Sequence, residues 1–268
     1  METSKELDPF HPAVRRWFGE SFAAPTPAQA LGWPPIARGE HTLILAPTGS
    51  GKTLAAFLFA LNDLCVRLDR GPTSGVHTLY LSPLKALAAD IERNLEEPLR
   101  GIRAAAAGLG SPLREIVVGV RTGDTPAAAR ERMRRRPPHV LVTTPESLHL
   151  LLTSPRAAEG LRAVRYVIVD EIHAVCETKR GTFLSLLLER LEELVDAPFV
   201  RIGLSATQRP LDLVASFLGG YDSSGTPRPV TLVDAGARKD LDLEVVSPVE
   251  DMTDLPRSED GSISIWPA

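Results

Sequence analysis

Three short polar stretches carry residue types suited to chemistry on a phosphorylated substrate. The first, APTGSGKT (46–53), sits between the apolar run HTLIL and the stretch TLAAFLFALNDLCVRL. Gly49 and Gly51 free the backbone to turn N–H groups toward phosphate oxygens, and a helix beginning there adds the positive end of its dipole. Lys52 would set a compact charge on the β- and γ-phosphates, and the Thr53 hydroxyl would hold Mg2+. Pro47, Thr48, Gly49, Ser50, Gly51, Lys52 and Thr53 together form a candidate nucleotide cradle, with ATP and Mg2+ as the expected cofactors. Ala46 stands where the general pattern has glycine, so glycine is not essential there. The second stretch, DEIH (170–173), follows RYVIV. Adjacent acids at the end of a buried strand are costly without a cation or a reaction to serve. Asp170 would hold Mg2+ through a water, and Glu171 would orient and deprotonate an attacking water. The third, SAT (205–207), has no weight alone, and His173 alone reads equally as a buried structural histidine.

The elements that must position these residues are legible as runs. HTLIL (41–45), HTLYL (77–81), EIVVGV (115–120), HVLVT (139–143), RYVIV (165–169) and FVRIGL (199–204) are β-branched and apolar, mostly without alternation, as strands buried on both faces are. Between them lie helical stretches, including 53–68, 84–95 and 183–195; in the last, Phe183, Leu184, Leu187, Leu188, Leu191 and Leu194 follow helical spacing. Pro98 is expected to end one helix and start another. The alternation predicts an α/β fold: a doubly wound, mostly parallel sheet with helices on both faces. Each polar cluster then falls at the carboxyl end of a strand, where open parallel sheets bind ligands. Beyond 211–220, VTLVDA and LDLEVV read as two more strands. Residues 247–268 are first acidic and proline-interrupted and read as a linker, leaving one domain over 1–246.

Composition narrows the class. With 43% hydrophobic and 24% charged residues, the 268-residue chain reads as an ordinary soluble globular protein. A net charge of −4 gives no overall basic bias, so any polyanion site is a local patch. The run RERMRRRPP (130–138) reads better as a solvated helix face than as that patch. No apolar run reaches membrane-spanning length, and METSKELDPFHP lacks the features of a secretion signal. Cys65 and Cys176 suggest neither a disulfide framework nor a zinc site. A cytoplasmic protein with no membrane partner is expected.

AxTGSGKT, DEIH and SAT, in this order and spacing, resemble the superfamily 2 DExH-box helicases and translocases. The resemblance implies that His173 connects the nucleotide to Ser205 and Thr207, the element coupling hydrolysis to movement. PTPAQ (25–29) is similar to the Q motif, in which the Gln29 carboxamide pairs with adenine N6 and N7. Phe10, Trp17, Phe18 and Phe22 lie close enough in sequence to stack on a base, although such residues are more often core. Ser82, Lys85, Arg121, Thr144 and Glu146 match elements that track the sugar-phosphate backbone of a strand. Each of these five alone reads equally as a helix cap or an exposed charge.

The likeness tightens over PTPAQALGWPPIARGEHTLILAPTGSGKTLAAFL, YLSPLKALAADIERNLEEPL, RTGDTP, TTPESLHLLLTS, DEIHAV and GLSATQRPLDLVASFLGG, which resemble the large helicase-related (Lhr) family. Membership implies a RecA-like domain of an ATP-driven 3′-to-5′ translocase acting on single-stranded DNA and unwinding duplexes, DNA–RNA hybrids included. Such enzymes close ATP between two RecA-like domains, and no second one follows SAT here. The chain is therefore expected to bind ATP·Mg2+, to bind single-stranded nucleic acid weakly, and to be nearly inert alone. An RNA-directed DExH/DEAD enzyme and a nucleotide-dependent binding module without turnover are the alternatives; Glu171 speaks against the latter.

Overall fold

The computed structural model describes residues 5–83, 85–206 and 210–236. LDLEVV, the expected 247–268 linker and Thr207 fall outside the described residues, as does the side chain of Lys85.

Seven strands form one parallel sheet: β1 (His41–Leu45), β2 (Thr78–Leu81), β3 (Val118–Arg121), β4 (Val140–Thr143), β5 (Tyr166–Val169), β6 (Val200–Ser205) and β7 (Val230–Asp234). Their spatial order is β3-β4-β2-β5-β6-β1-β7. Every named pair is parallel, so the expected mostly parallel sheet is wholly parallel among the described residues. The absence of alternation in the strands has a direct structural cause. Along β1, Ile44 packs into one apolar cluster while Leu43 and Leu45 pack into the other. Both faces of the sheet are therefore covered, and apolar residues predominate on both.

Helices α1 (Pro12–Ser21), α2 (Pro27–Ala37), α3 (Lys52–Arg70) and α4 (Lys85–Gly108) supply the first cluster. The second is supplied chiefly by α6 (Pro145–Leu152), α8 (His173–Cys176), α9 (Lys179–Leu194) and α10 (Leu211–Gly219), with α7 (Pro155–Ala158) beside them. Between β3 and β4, α5 (Ala127–Arg135) buries no residue completely, in line with the solvated face expected for the arginine run. The break expected at Pro98 does not occur: α4 continues through it to Gly108. Pro98 is itself buried, and one turn on, Gly101 admits the indole of Trp17. A Cβ at Gly101 would lie 2.2 Å from that ring, so close α1–α4 packing holds the helix across its proline.

The amino-terminal rim of the sheet is closed by ion pairs. Arg201, 1% exposed, donates to Glu189 and Glu192 of α9, at 3.0 Å each, and to the Leu218 and Gly219 carbonyls of α10. His41 Nδ1 accepts the Arg201 N–H at 3.1 Å. Removing one partner from such a buried set costs about 3–5 kcal/mol.

Candidate nucleotide site and carboxyl rim

The residues singled out by type meet at the opposite, carboxyl rim. Register explains why: Leu45 of β1 pairs with Ser205 of β6, Val169 of β5 with Gly203 of β6, and Leu81 of β2 with Val169. The segments that follow β1, β6, β5 and β2 therefore emerge side by side.

After β1 the chain turns through Pro47–Ser50, where Ser50 Oγ donates to the Pro47 carbonyl at 2.7 Å. Gly49 and Gly51 hold φ of 80° and 82°, the left-handed region that glycine adopts without penalty. A side chain at Gly51 would meet Gln29 Nε2 at 3.0 Å and Thr26 Oγ1 at 3.2 Å, so the turn is packed from behind by the Q-like segment. There, Gln29 is 3% exposed and its Oε1 accepts the Thr26 N–H at 3.0 Å, tying down the start of α2. A carboxamide oxygen has a second lone pair, so this bond leaves an acceptor for an adenine amine. Thr26 Oγ1 faces the Gln29 backbone N–H in return, so the two residues form a capping box at the start of α2.

Lys52 opens α3 and is only 5% exposed. Its Nζ donates to the Ala46 carbonyl at 3.5 Å and lies 3.4 Å from Glu171 Oε1. Glu171 has φ of 43°, unusual for a residue with a side chain and costing about 1–2 kcal/mol. That turn sets one carboxylate oxygen toward Lys52 and the other, Oε2, 3.4 Å from His173 Nε2. On the far side of the ring, Nδ1 accepts the Ala206 N–H at 3.3 Å and lies 3.2 Å from Ser205 Oγ. Because Nδ1 accepts, the proton of the neutral imidazole belongs on Nε2, facing Glu171. An unbroken line of contacts thus runs Lys52–Glu171–His173–Ser205.

Asp170 is 6% exposed, and both its oxygens are engaged. Oδ1 accepts the Glu171 N–H at 2.9 Å, and Oδ2 accepts the hydroxyl of Tyr80 from β2. Burial pushes the Asp170 carboxyl above the usual range; the Tyr80 hydrogen bond opposes that and neighbouring Glu171 adds to it. A cation nearby would relieve the burial cost. Thr53 and Asp170 line one cavity of ≈ 620 Å³ with Thr48, Gly49, Lys52 and Glu171. A hydroxyl and a carboxylate are hard oxygen donors that suit Mg2+, which binds few protein ligands and keeps phosphate and water for the rest. The described residues hold no cluster of three or more ligating side chains, as such an ion requires none. Of the four aromatics near the Q-like segment, Phe10, Trp17 and Phe18 are core, whereas Phe22 is 39% exposed and lines this cavity.

The five residues expected to follow a nucleic-acid backbone sit on the other half of the rim. Ser82 follows β2 and is wholly buried, its N–H donating to the Thr143 carbonyl at 3.0 Å. Lys85 begins α4. Thr144 caps α6, its hydroxyl accepting the Ser147 N–H at 3.4 Å. Glu146 is exposed and pairs with Arg180 of α9 at 2.7 Å. Arg121, at the end of edge strand β3, forms no ion pair among the described residues; burial and the nearby charge of Arg130 pull its guanidinium below the ordinary arginine value. Tyr80, Thr26 and Arg180 were not singled out from sequence. A hydroxyl inside the apolar run TLYL is the one hint that could have found Tyr80.

A doubly wound sheet with a phosphate turn after β1 and an acid pair two strands away defines a RecA-like P-loop nucleotidase domain. The DEAD/DEAH box helicase family matches residues 26–214. The Lhr helicase/probable uracil glycosylase of Mycolicibacterium smegmatis is 53% identical over 268 residues, covering 99% of this chain and 17% of its own length. The ATP-dependent helicase Lhr-Core of Methanothermobacter thermautotrophicus is 50% identical over 264 residues, covering 98% of this chain and 30% of its own. Among solved structures, Mycobacterium smegmatis helicase Lhr bound to ssDNA and AMP-PNP superposes with a TM-score of 0.82 at 53% identity, over 94% of this chain and 31% of that one. The chain belongs to the DEAD/DEAH box helicases and, within them, to the Lhr family, whose curated members it matches over 17% and 30% of their length in these two cases. Among the described residues, no helix is long and apolar enough to cross a membrane.

Proposed function

We propose that these residues form the first motor domain of an ATP-dependent 3′-to-5′ DNA helicase, binding ATP·Mg2+ at the cradle and single-stranded DNA along β2, β4 and β3. The observation that carries this reading is the line Lys52–Glu171–His173–Ser205, which joins the phosphate turn to the strand between it and the acid pair. A binding module has no use for a carboxylate held in a strained turn between a phosphate-binding lysine and a histidine. Lys52 neutralises the β- and γ-phosphates, and Glu171 accepts the proton of the attacking water. Thr53 and, through a water, Asp170 would hold Mg2+, which would add charge neutralisation at the phosphates. His173 links Glu171 to Ser205 and, two residues further on in sequence, to Thr207. The solved Lhr relative holds ssDNA and AMP-PNP, and the same pairing of ligands is what this rim is built for.

Hydrolysis by this domain alone is slow, because the stabilising arginines come from a second RecA-like domain and their lack costs about 10³–10⁵ in other nucleotidases. DNA binding is weak. Contact with about three phosphates gives a log K against log salt slope near −2. Steady-state ATP hydrolysis, with and without single-stranded DNA or RNA and beside Lys52→Ala, tests the reading. Nucleotide binding with little turnover is expected. Strong turnover stimulated by RNA alone, or ATP binding unchanged in Lys52→Ala, contradicts it.

A further inference from the structure

The proposed roles make no use of one buried polar contact that joins the two halves of the rim. Tyr80 lies inside β2, fully buried, among Thr78, Leu79 and Leu81. Its ring stacks on Phe57 of α3 at 4.9 Å and 17°, which fixes it against the helix that Lys52 begins. Its hydroxyl donates to Asp170 Oδ2 from the neighbouring strand, where Tyr80 itself pairs in register with Ile168. Phenylalanine would fill the same space. The hydroxyl's partner is the carboxylate, and burial with the adjacent Asp170 charge keeps the phenol protonated.

We propose that Tyr80 is the positioning residue for the metal-binding carboxylate of Asp170. The inference rests on the reading of Asp170 as a partner of Mg2+. A free carboxylate at the end of a strand rotates about its last bond. Here Tyr80 clamps one oxygen and the Glu171 N–H clamps the other at 2.9 Å. Of about four lone-pair sites, two are then committed and two remain for water on a bound ion. The plane of the carboxylate is set before the nucleotide arrives, so its orienting cost is not charged against metal binding. Tyr80 also stands two residues before Ser82, which directly follows β2, so one strand leads from the proposed metal grip into the segment proposed to follow a nucleic-acid backbone.

The test is the affinity of ADP for the 268-residue chain, measured in Mg2+ and again in EDTA, for wild type and Tyr80→Phe. The expected result is a fall of about 3- to 10-fold in the ratio of the two affinities, with the EDTA value within about twofold of wild type. A purely structural tyrosine would leave that ratio at its wild-type value, or weaken both affinities in parallel; either outcome overturns the proposal. A wild-type chain whose ADP affinity ignores Mg2+ overturns the metal reading of Asp170 and this inference with it. A wild-type gain retained in full by Tyr80→Phe overturns the inference alone. If Tyr80→Phe fails to fold, fluorine NMR of the wild-type chain carrying 3-fluorotyrosine decides, since the sequence has 3 tyrosines. Tyr166→Phe and Tyr221→Phe identify the other two signals. The Tyr80 signal should shift when Mg2+ is added to the ADP complex, and a signal that stays in place overturns the proposal.

Discussion

The two halves of the carboxyl rim solve different problems with different chemistry. On β1, β6 and β5, Lys52 and Asp170 are buried and Glu171 and His173 half-buried, and all are already paired: Lys52 with Glu171, Glu171 with His173, and Asp170 with Tyr80 of neighbouring β2. On β2, β4 and β3, the groups sit at ordinary structural posts. Thr144 caps a helix, Ser82 lies within the sheet's hydrogen-bonding, and Glu146 holds an exposed ion pair. The first half is preorganised for a single small ligand whose charge must be met at fixed points. In the proposed role, the second would meet a polymer that has to slide, for which uniform, shallow contacts serve better than deep ones.

This contrast can be broken most sharply at Lys52. Lys52→Ala removes the charge from the cradle and is expected to weaken ATP binding about 10- to 100-fold, while single-stranded DNA affinity stays within about twofold. Fluorescence titration of each ligand checks both. His41, at the opposite rim, provides a control outside both halves. Burial first, then the charges of Arg201 and Arg228, depress the His41 imidazole to about 4. The unfolded chain protonates near pH 6.5 while the folded one resists, so this stability is present above pH 6.5 and lost as pH falls toward 4. The melting temperature of wild type should therefore drop more between pH 7 and 5 than that of His41→Asn, at about 2–4 °C per kcal/mol. Arg121→Ala should make the salt slope of single-strand binding shallower by about 0.7, with ATP affinity unchanged. Smallest of all, Arg180→Ala breaks a solvent-exposed pair and should cost no more than about 1 kcal/mol in thermal unfolding. A large loss there would mean that the second half is as preorganised as the first.

The same contrast explains what the sequence disclosed. The cradle, the acid pair and His173 stand out because polar residues interrupt apolar runs at fixed spacing, and the strands because both their faces are buried. The helix through Pro98 was misread: proline's local preference is outweighed by α1 packing against Gly101. Tyr80 was missed because its meaning depends on which strand lies beside β2, and the pairing of β2 with β5 skips over the two strands between them in sequence, β3 and β4. The five residues proposed to follow a nucleic-acid backbone gained no distinction from geometry, since a capping threonine looks the same with or without a strand to bind. The 247–268 segment and Thr207 remain expectations from sequence.

The most direct test is a crossed titration: ATP·Mg2+ and a single-stranded DNA oligonucleotide, each against wild type, Lys52→Ala and Arg121→Ala in one buffer. The account predicts that Lys52→Ala loses ATP and keeps DNA, and that Arg121→Ala keeps ATP and binds DNA with a shallower salt slope. Loss of both ligands in either variant, with the fold intact by circular dichroism, would contradict a rim divided into two separable halves.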